Sequence, residues 1–196
     1  MFNNNFKLGF KIIGLDLAGK PENPTGICFL DSDKIECCTI FEDNEILNII
    51  SNANPSLIVI DAPLSLPRGR CCLNNECPCS DIGGHFRKAE DEMRKYGRTL
   101  PLTFRGMRIL TERGIKIADK LKSQYEVIES HPRTIQKILG PQNATKIKKT
   151  FHLSKDISEH EMDAVLLVIA GINYYNNNFM EFGDKEEGII ILPMHP

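Results

Sequence analysis

The segment Phe10-Lys11-Ile12-Ile13-Gly14-Leu15-Asp16 reads as a buried β-strand that ends on a carboxylate, and this pairing constrains the chain more than any other feature. A carboxylate at the end of an apolar strand is costly unless it is paired or bound to a metal. The arrangement recurs at Leu57-Ile58-Val59-Ile60-Asp61 and again at Glu126-Val127-Ile128-Glu129. Strand-end acids also cap helices or bind turn amides, so each one alone decides little. Their recurrence at the same topological place, the carboxyl ends of strands where α/β sheets gather ligands, argues for one shared site. Neighbouring strands lie about 4.8 Å apart, close enough for such carboxylates to converge and repel. A divalent cation relieves that repulsion, and all-oxygen ligands suit magnesium or manganese.

The order of elements gives the fold class. After the first strand, Gly19-Lys20-Pro21-Glu22-Asn23-Pro24 is rich in breakers and reads as a turn. Thr25 to Leu30 and Lys34 to Ile40 follow as strands around the short polar turn Asp31-Ser32-Asp33, so the chain opens as a three-stranded antiparallel meander. Ile46, Leu47, Ile49 and Ile50 recur at helical spacing and lead into Leu57 to Asp61, which predicts a helix feeding a parallel buried strand. From about residue 63 to residue 104 no apolar period is sustained, which predicts an inserted, partly irregular lobe with a helical stretch between Phe86 and Tyr96. Met107 to Leu121 reads as one or two helices broken near Gly114, and His131-Pro132 turns the chain after Glu129. Ser158 with Glu161 forms a capping box ahead of Met162, Val165, Leu166, Ile169 and Ile172, so a helix runs to Tyr175 and places His160 and Asp163 on one face. Gly188 to Pro193 is expected to be a last strand, and the Asn-rich runs at Asn3-Asn4-Asn5 and Asn176-Asn177-Asn178 to be solvated ends. The expected architecture is a single α/β domain over residues 1–196: a mixed sheet, an antiparallel meander plus parallel strands, flanked by helices and carrying an inserted lobe.

With 196 residues, two independent domains are not expected. The net charge is −2, so any contact with nucleic acid must come from a local basic patch. No signal-type apolar core precedes Asp16 and no apolar run approaches the roughly 20 residues that span a bilayer, so a cytoplasmic location and no membrane partner are expected. Seven cysteines without a secretory signal read as reduced thiols or metal ligands rather than a disulfide framework.

Gly14-Leu15-Asp16-Leu17-Ala18-Gly19, Ile60-Asp61-Ala62-Pro63-Leu64-Ser65-Leu66-Pro67, Gly106-Met107-Arg108-Ile109-Leu110-Thr111, Val127-Ile128-Glu129-Ser130-His131-Pro132 and His160-Glu161-Met162-Asp163-Ala164 together resemble the domain-of-unknown-function family numbered 429. That family is grouped with ribonuclease H-like folds and described as predicted nucleases. The resemblance runs from about Ile12 to Pro193 and implies a ribonuclease H-like domain. His160-x-x-Asp163-Ala164 is also similar to the last motif of Holliday-junction resolvases of the RuvC type, and Asp16 matches their first-strand aspartate. Asp61 stands where a resolvase usually has glutamate, and Glu129 has no clear counterpart there. The resulting expectation is that Asp16, Asp61 and Asp163, helped by His160 or Glu129, hold two magnesium or manganese ions, with Asp16 bridging them, for phosphodiester hydrolysis.

Arg68, Arg70, Arg87, Arg105 and Arg108 crowd the stretch after Asp61, and with Lys20 they are candidate contacts for the phosphates of DNA or RNA. Interleaved Glu90, Asp91, Glu92 and Glu112 also fit an ordinary solvated face. Cys71, Cys72, Cys77, Cys79 and His85 are candidate ligands of a structural zinc, although Cys77-x-Cys79 is tighter than usual zinc-hairpin spacing and free thiols fit equally well. Gly14-x-x-x-x-Gly19-Lys20 mimics a phosphate-binding loop, but Pro21 stands where its hydroxyl belongs and a strand follows where its helix should start. Two rival functions use the same elements. Actin-like and sugar-kinase ATPases set an aspartate hairpin against nucleotide phosphates but need two such domains, which a homodimer could supply, and a non-catalytic nucleic-acid-binding module needs no metal.

Overall fold

Strand β1 (Lys11–Asp16) lies inside a sheet whose order, among the described residues 10–140 and 143–194 of the computed structural model, is β3-β2-β1-β4-β5-β7-β6. Strands β2 (Thr25–Asp31) and β3 (Lys34–Ile40) run antiparallel to β1 as the expected meander, and β4 (Leu57–Ile60) and β5 (Glu126–Glu129) are parallel to it. β7 (Gly188–Pro193) continues the parallel set, while β6 (Phe179–Asp184) closes the edge as a hairpin with β7 that the sequence pattern did not suggest. The residues Asn3-Asn4-Asn5 lie outside the described part, and Asn176-Asn177-Asn178 are exposed beyond a helix end as expected.

Alternation along the strands divides the interior in two. Ile13, Leu15, Ile58 and Ile60 face α1 (Asp43–Ala53) and α3 (Arg105–Leu121), meeting Ile46, Ile50, Ile117, Ala118 and Leu121. Ile12, Leu57 and Val59 face the opposite layer, built around α6 (Glu159–Tyr175) and covered by α2 (Lys88–Met93), α4 (Pro132–Leu139) and α5 (Asn143–Thr150). The Ser158–Glu161 capping box starts α6 as read from the sequence. The helix is not one-sided, however: every residue from Ala164 to Ile172 is buried, because the sheet from β2 to β7 lies against it and α4 packs on it as well.

Three expectations change. α3 is one unbroken helix of 17 residues, and Gly114 serves packing, since a Cβ there would stand 2.7 Å from Ala62 Cβ and 3.1 Å from the Pro63 carbonyl oxygen. His131-Pro132 starts α4 rather than merely turning the chain: Pro132 takes the first helical position and His131 Nδ1 accepts from the Thr134 amide at 3.2 Å. In the lobe, the helical stretch contracts to the six residues of α2, joined by one 3-10 turn at Pro78–Asp81. Among the described residues, no helix is long and apolar enough to cross a membrane.

Candidate metal centre at the carboxyl end of the sheet

Asp16 is the last residue of β1, and the Asp61 amide donates to the Leu15 carbonyl oxygen at 3.0 Å, so the chain delivers Asp16 and Asp61 side by side where β1 and β4 end. Both have the parity of Ile12 and Val59 and so belong to the α6 side. Two glycines let α6 come down onto them. Gly14 of β1 carries no Cβ where Leu167 Cβ and the Val168 nitrogen would stand 3.0 Å from one, and a Cβ on Gly26, the register partner of Asp16, would run into the His160 carbonyl. This close approach places the first turn of α6 over the strand ends, and the His160 imidazole meets Asp16 with Nδ1 2.8 Å from Oδ2. An ionised carboxylate only accepts, so Nδ1 donates, and in the neutral tautomer of this half-exposed ring Nε2 is the acceptor.

The electrostatics of the cluster follow from burial and like charge. Asp61 is driven well above the usual carboxylate range, first by burial and then by the charges of Asp16, Asp163 and Glu129. Asp163, one turn into α6 from His160, is pushed up to about 6 by burial and by Asp16. Asp16 is also raised, because burial outweighs the hydrogen bond and charge of His160. No hydrogen bond to the Asp61 or Asp163 carboxylate occurs among the described residues. Mutually repelling, oxygen-only donors without protein partners suit a hard divalent cation. They are coupled without being drawn into a tight cage: among the described residues, the one group of three or more potential ligands gathered that closely is the four-cysteine cluster of the lobe.

Glu129 stands apart from this cluster. It pairs in register with Ile60, not Asp61, so it shares the parity of the α1 and α3 layer. Its oxygens accept from Arg87 Nη1 at 2.8 Å, Arg87 Nη2 at 2.5 Å and the Leu64 amide at 3.0 Å. Arg87, read from sequence as a phosphate contact, is fully buried and is also bound by Glu90 and by the Ser65 hydroxyl. Against the burial that disfavours its charge, Glu129 and Glu90 hold it protonated. It is therefore a tie between the lobe and β5, out of reach of any substrate. Arg70 is buried too, donating to the carbonyl oxygens of Gly84 and Asn74 and to Asn75 Oδ1. Arg68 is exposed but ion-paired with Asp184 and Glu186 on the β6–β7 hairpin.

The remaining basic candidates stay near the carboxylates. Gly19 lies against the first turns of α3, 3.6 Å from the Leu110 nitrogen when given a Cβ, which brings exposed Arg105 and half-exposed Arg108 beside the loop that leaves Asp16. Lys20, on that loop, is exposed and pairs with Glu22. Arg113 secures the loop by donating to the Ala18 and Phe41 carbonyl oxygens at 2.7 Å and to Asp43 at 2.8 Å. The group missed from sequence is Arg133. Exposed in the first turn of α4, it makes no direct ion pair among the described residues, yet its charge is felt by Asp16, Asp61 and Asp163. Its signal was position alone, since it directly follows the His131-Pro132 helix start. Burial, then the nearby Arg133 and Lys137, hold the His131 ring at about 4, and it stays the neutral cap that α4 requires.

The meander, the parallel strands that continue it and the long helix crossing the strand ends define a ribonuclease H-like α/β fold. Among solved structures, the chain is similar to T. thermophilus RuvC in complex with Holliday junction substrate, at 9% sequence identity and a TM-score of 0.50, with 86% of this chain and 96% of that chain covered. At that identity the likeness is one of fold. No protein-family model matches the chain, so the resemblance to family 429 rests on its motifs, and no curated protein sequence matches it either.

Proposed function

We propose that the chain is a metal-dependent nuclease that hydrolyses phosphodiester bonds at the Asp16, Asp61 and Asp163 cluster. The observation that carries this reading is the convergence of three repelling carboxylates and one histidine, from β1, the end of β4 and α6, at the carboxyl edge of a ribonuclease H-like sheet. Asp16, Asp61 and Asp163 would hold magnesium or manganese, which when bound supplies charge stabilisation at the phosphate and a more acidic water. The chain itself contributes the rest. His160, oriented through Nδ1 by Asp16, offers Nε2 to take a proton from water. Arg133 faces the same cluster with a guanidinium suited to a phosphate oxygen, and Lys20, Arg105 and Arg108 supply positive charge along the flank for a DNA or RNA backbone.

The test is cleavage of junction, flap, hybrid and single-stranded substrates with magnesium or manganese. Cleavage by the wild type that Asp16→Asn abolishes, with the folded spectrum retained, is the expected result. No cleavage of any of these substrates, or cleavage that survives Asp16→Asn, overturns the proposal.

A further inference from the structure

We infer that the lobe binds one zinc ion through the thiolates of Cys71, Cys72, Cys77 and Cys79, with His85 excluded, and that this ion is the core of a segment that has almost none of its own. The four sulfurs all lie within 4.8 Å of one another. Cys71 and Cys77 approach to 3.7 Å and Cys72 and Cys79 to 3.9 Å. A tetrahedron of sulfurs at the usual zinc–sulfur bond of about 2.3 Å has edges of ~3.8 Å, so both separations are already those of a bound ion. An iron–sulfur cluster, a larger body held at its corners by cysteines, needs its sulfurs spread more widely.

Burial does not explain why the thiols gather. Only Cys79 is buried, whereas Cys71 is exposed and Cys72 and Cys77 are intermediate. The backbone instead brings two limbs together around a turn. The Glu76 amide donates to Asn74 Oδ1 and the Cys77 amide to the Asn74 carbonyl oxygen, which reverses the chain between Cys72 and Cys77. The Ser80 amide then donates to the Cys77 carbonyl oxygen to open the 3-10 turn that carries Cys79. Arg70 closes the base of the loop by binding Gly84, Asn74 and Asn75. Apart from Leu73, little apolar surface is buried here, the usual situation in which a small segment depends on a metal. His85 lies near in sequence, but its Nδ1 is 2.8 Å from the Thr103 hydroxyl and it is not part of the sulfur cluster.

Both ends of the loop are fixed to the domain: the Arg68 and Lys88 amides donate to the two oxygens of Glu187, on the β6–β7 hairpin. The zinc therefore holds a closed excursion in shape without entering the carboxylate cluster, and the inference stands independently of phosphodiester chemistry.

The experiment measures zinc and iron together by mass spectrometry on the full chain, purified under reducing conditions without chelator, alongside Cys77→Ser, Cys79→Ser, His85→Ala and Cys38→Ser. Wild type, His85→Ala and Cys38→Ser are expected to hold about one zinc per chain, and the two cluster variants below about a tenth of that. In case those variants fail to fold, cobalt exchanged into the wild type is expected to give thiolate charge-transfer absorption with the intense visible bands of a tetrahedral site. Substoichiometric zinc, iron in its place, Cys71–Cys77 or Cys72–Cys79 disulfides in the reduced preparation, zinc lost with His85→Ala, or a six-coordinate cobalt spectrum would each overturn the assignment.

Discussion

Removing a charge from the carboxylate cluster is expected to stabilise the protein, and Asp163→Asn is the cleanest case. Asp163 is raised from 3.8 to about 6, by burial first and by Asp16 second, which disfavours its charged form by at most ~3 kcal/mol. The side chain is only partly buried, and solvent screening brings this to ~1–2 kcal/mol. Because the folded state holds this proton more tightly than the unfolded chain, wild-type stability falls as pH rises from the unfolded value through about 6, and the whole cost is present above that. The amide variant does not carry that cost. In a chelator at about pH 8 it is expected to melt roughly 2–8 °C higher than wild type, given about 2–4 °C per kcal/mol for a domain of this size. The gap should narrow as pH falls to 4 and close by about pH 3, where Asp163 is neutral in both states. Added manganese should narrow it at high pH, since a ligand of the folded state stabilises the wild type in proportion to its affinity. Thermal unfolding followed by circular dichroism across that pH range measures all three. A variant less stable than wild type at high pH, or an advantage unchanged between pH 8 and pH 4, would refute the account of the cluster as a set of repelling, partly buried carboxylates.

Arg87→Met leaves Glu129 and Glu90 buried without their counter-ion and is expected to cost roughly 3–5 kcal/mol in denaturant unfolding, most of it recovered when Glu129→Leu is added. An equal cost in the double variant would show that packing, not charge, is what Arg87 supplies. Gly26→Ala drives a Cβ into the His160 backbone and within 2.9 Å of the Glu161 nitrogen, so a loss of about 1–3 kcal/mol should come with weaker manganese binding measured by calorimetry. Unaltered manganese affinity would mean that the start of α6 does not shape the site. Arg133→Ala should leave manganese binding as tight or tighter, because a cation is removed from beside three acids, while turnover of a cleaved substrate falls by about 100-fold. Unchanged turnover would remove Arg133 from the proposed machinery.

Strands β3, β5 and β7 were legible to the residue because each is a short apolar or alternating run bounded by turn-formers. β6, with the sequence Phe-Met-Glu-Phe-Gly-Asp, lacks β-branched residues and exists because β7 offers it an edge. Helices α4 and α5 are eight residues each, too short for periodicity to separate them from loop. Asp16 and Asp61 were conspicuous as acids after apolar runs, and His160 and Asp163 as a three-residue spacing behind the Ser158–Glu161 capping box. Arg87 was not, since the Glu129 that justifies burying it is 42 residues away in sequence. The cysteines illustrate the opposite limit. Their irregular spacing argued weakly, whereas the folded loop brings all four sulfurs together.

The separation of Glu129 from the other strand-end acids has a physical origin in strand register. A strand alternates faces, so an acid at a strand end joins a cluster only if its parity matches. Asp16 and Asp61 match, whereas Glu129 aligns with Ile60 and is one residue out of phase. At that position it sits across from the lobe, where Arg87 neutralises it and the Leu64 amide binds it. One strand-end acid thus anchors the insertion to the sheet, and the other two, with no guanidinium counter-ion in contact, face the α6 side, where burial and mutual repulsion raise them. Asp163 completes that set from the helix, and glycines at Gly14 and Gly26 let the helix come near enough to do so. Anchor and site are separated by a single step of β-strand register.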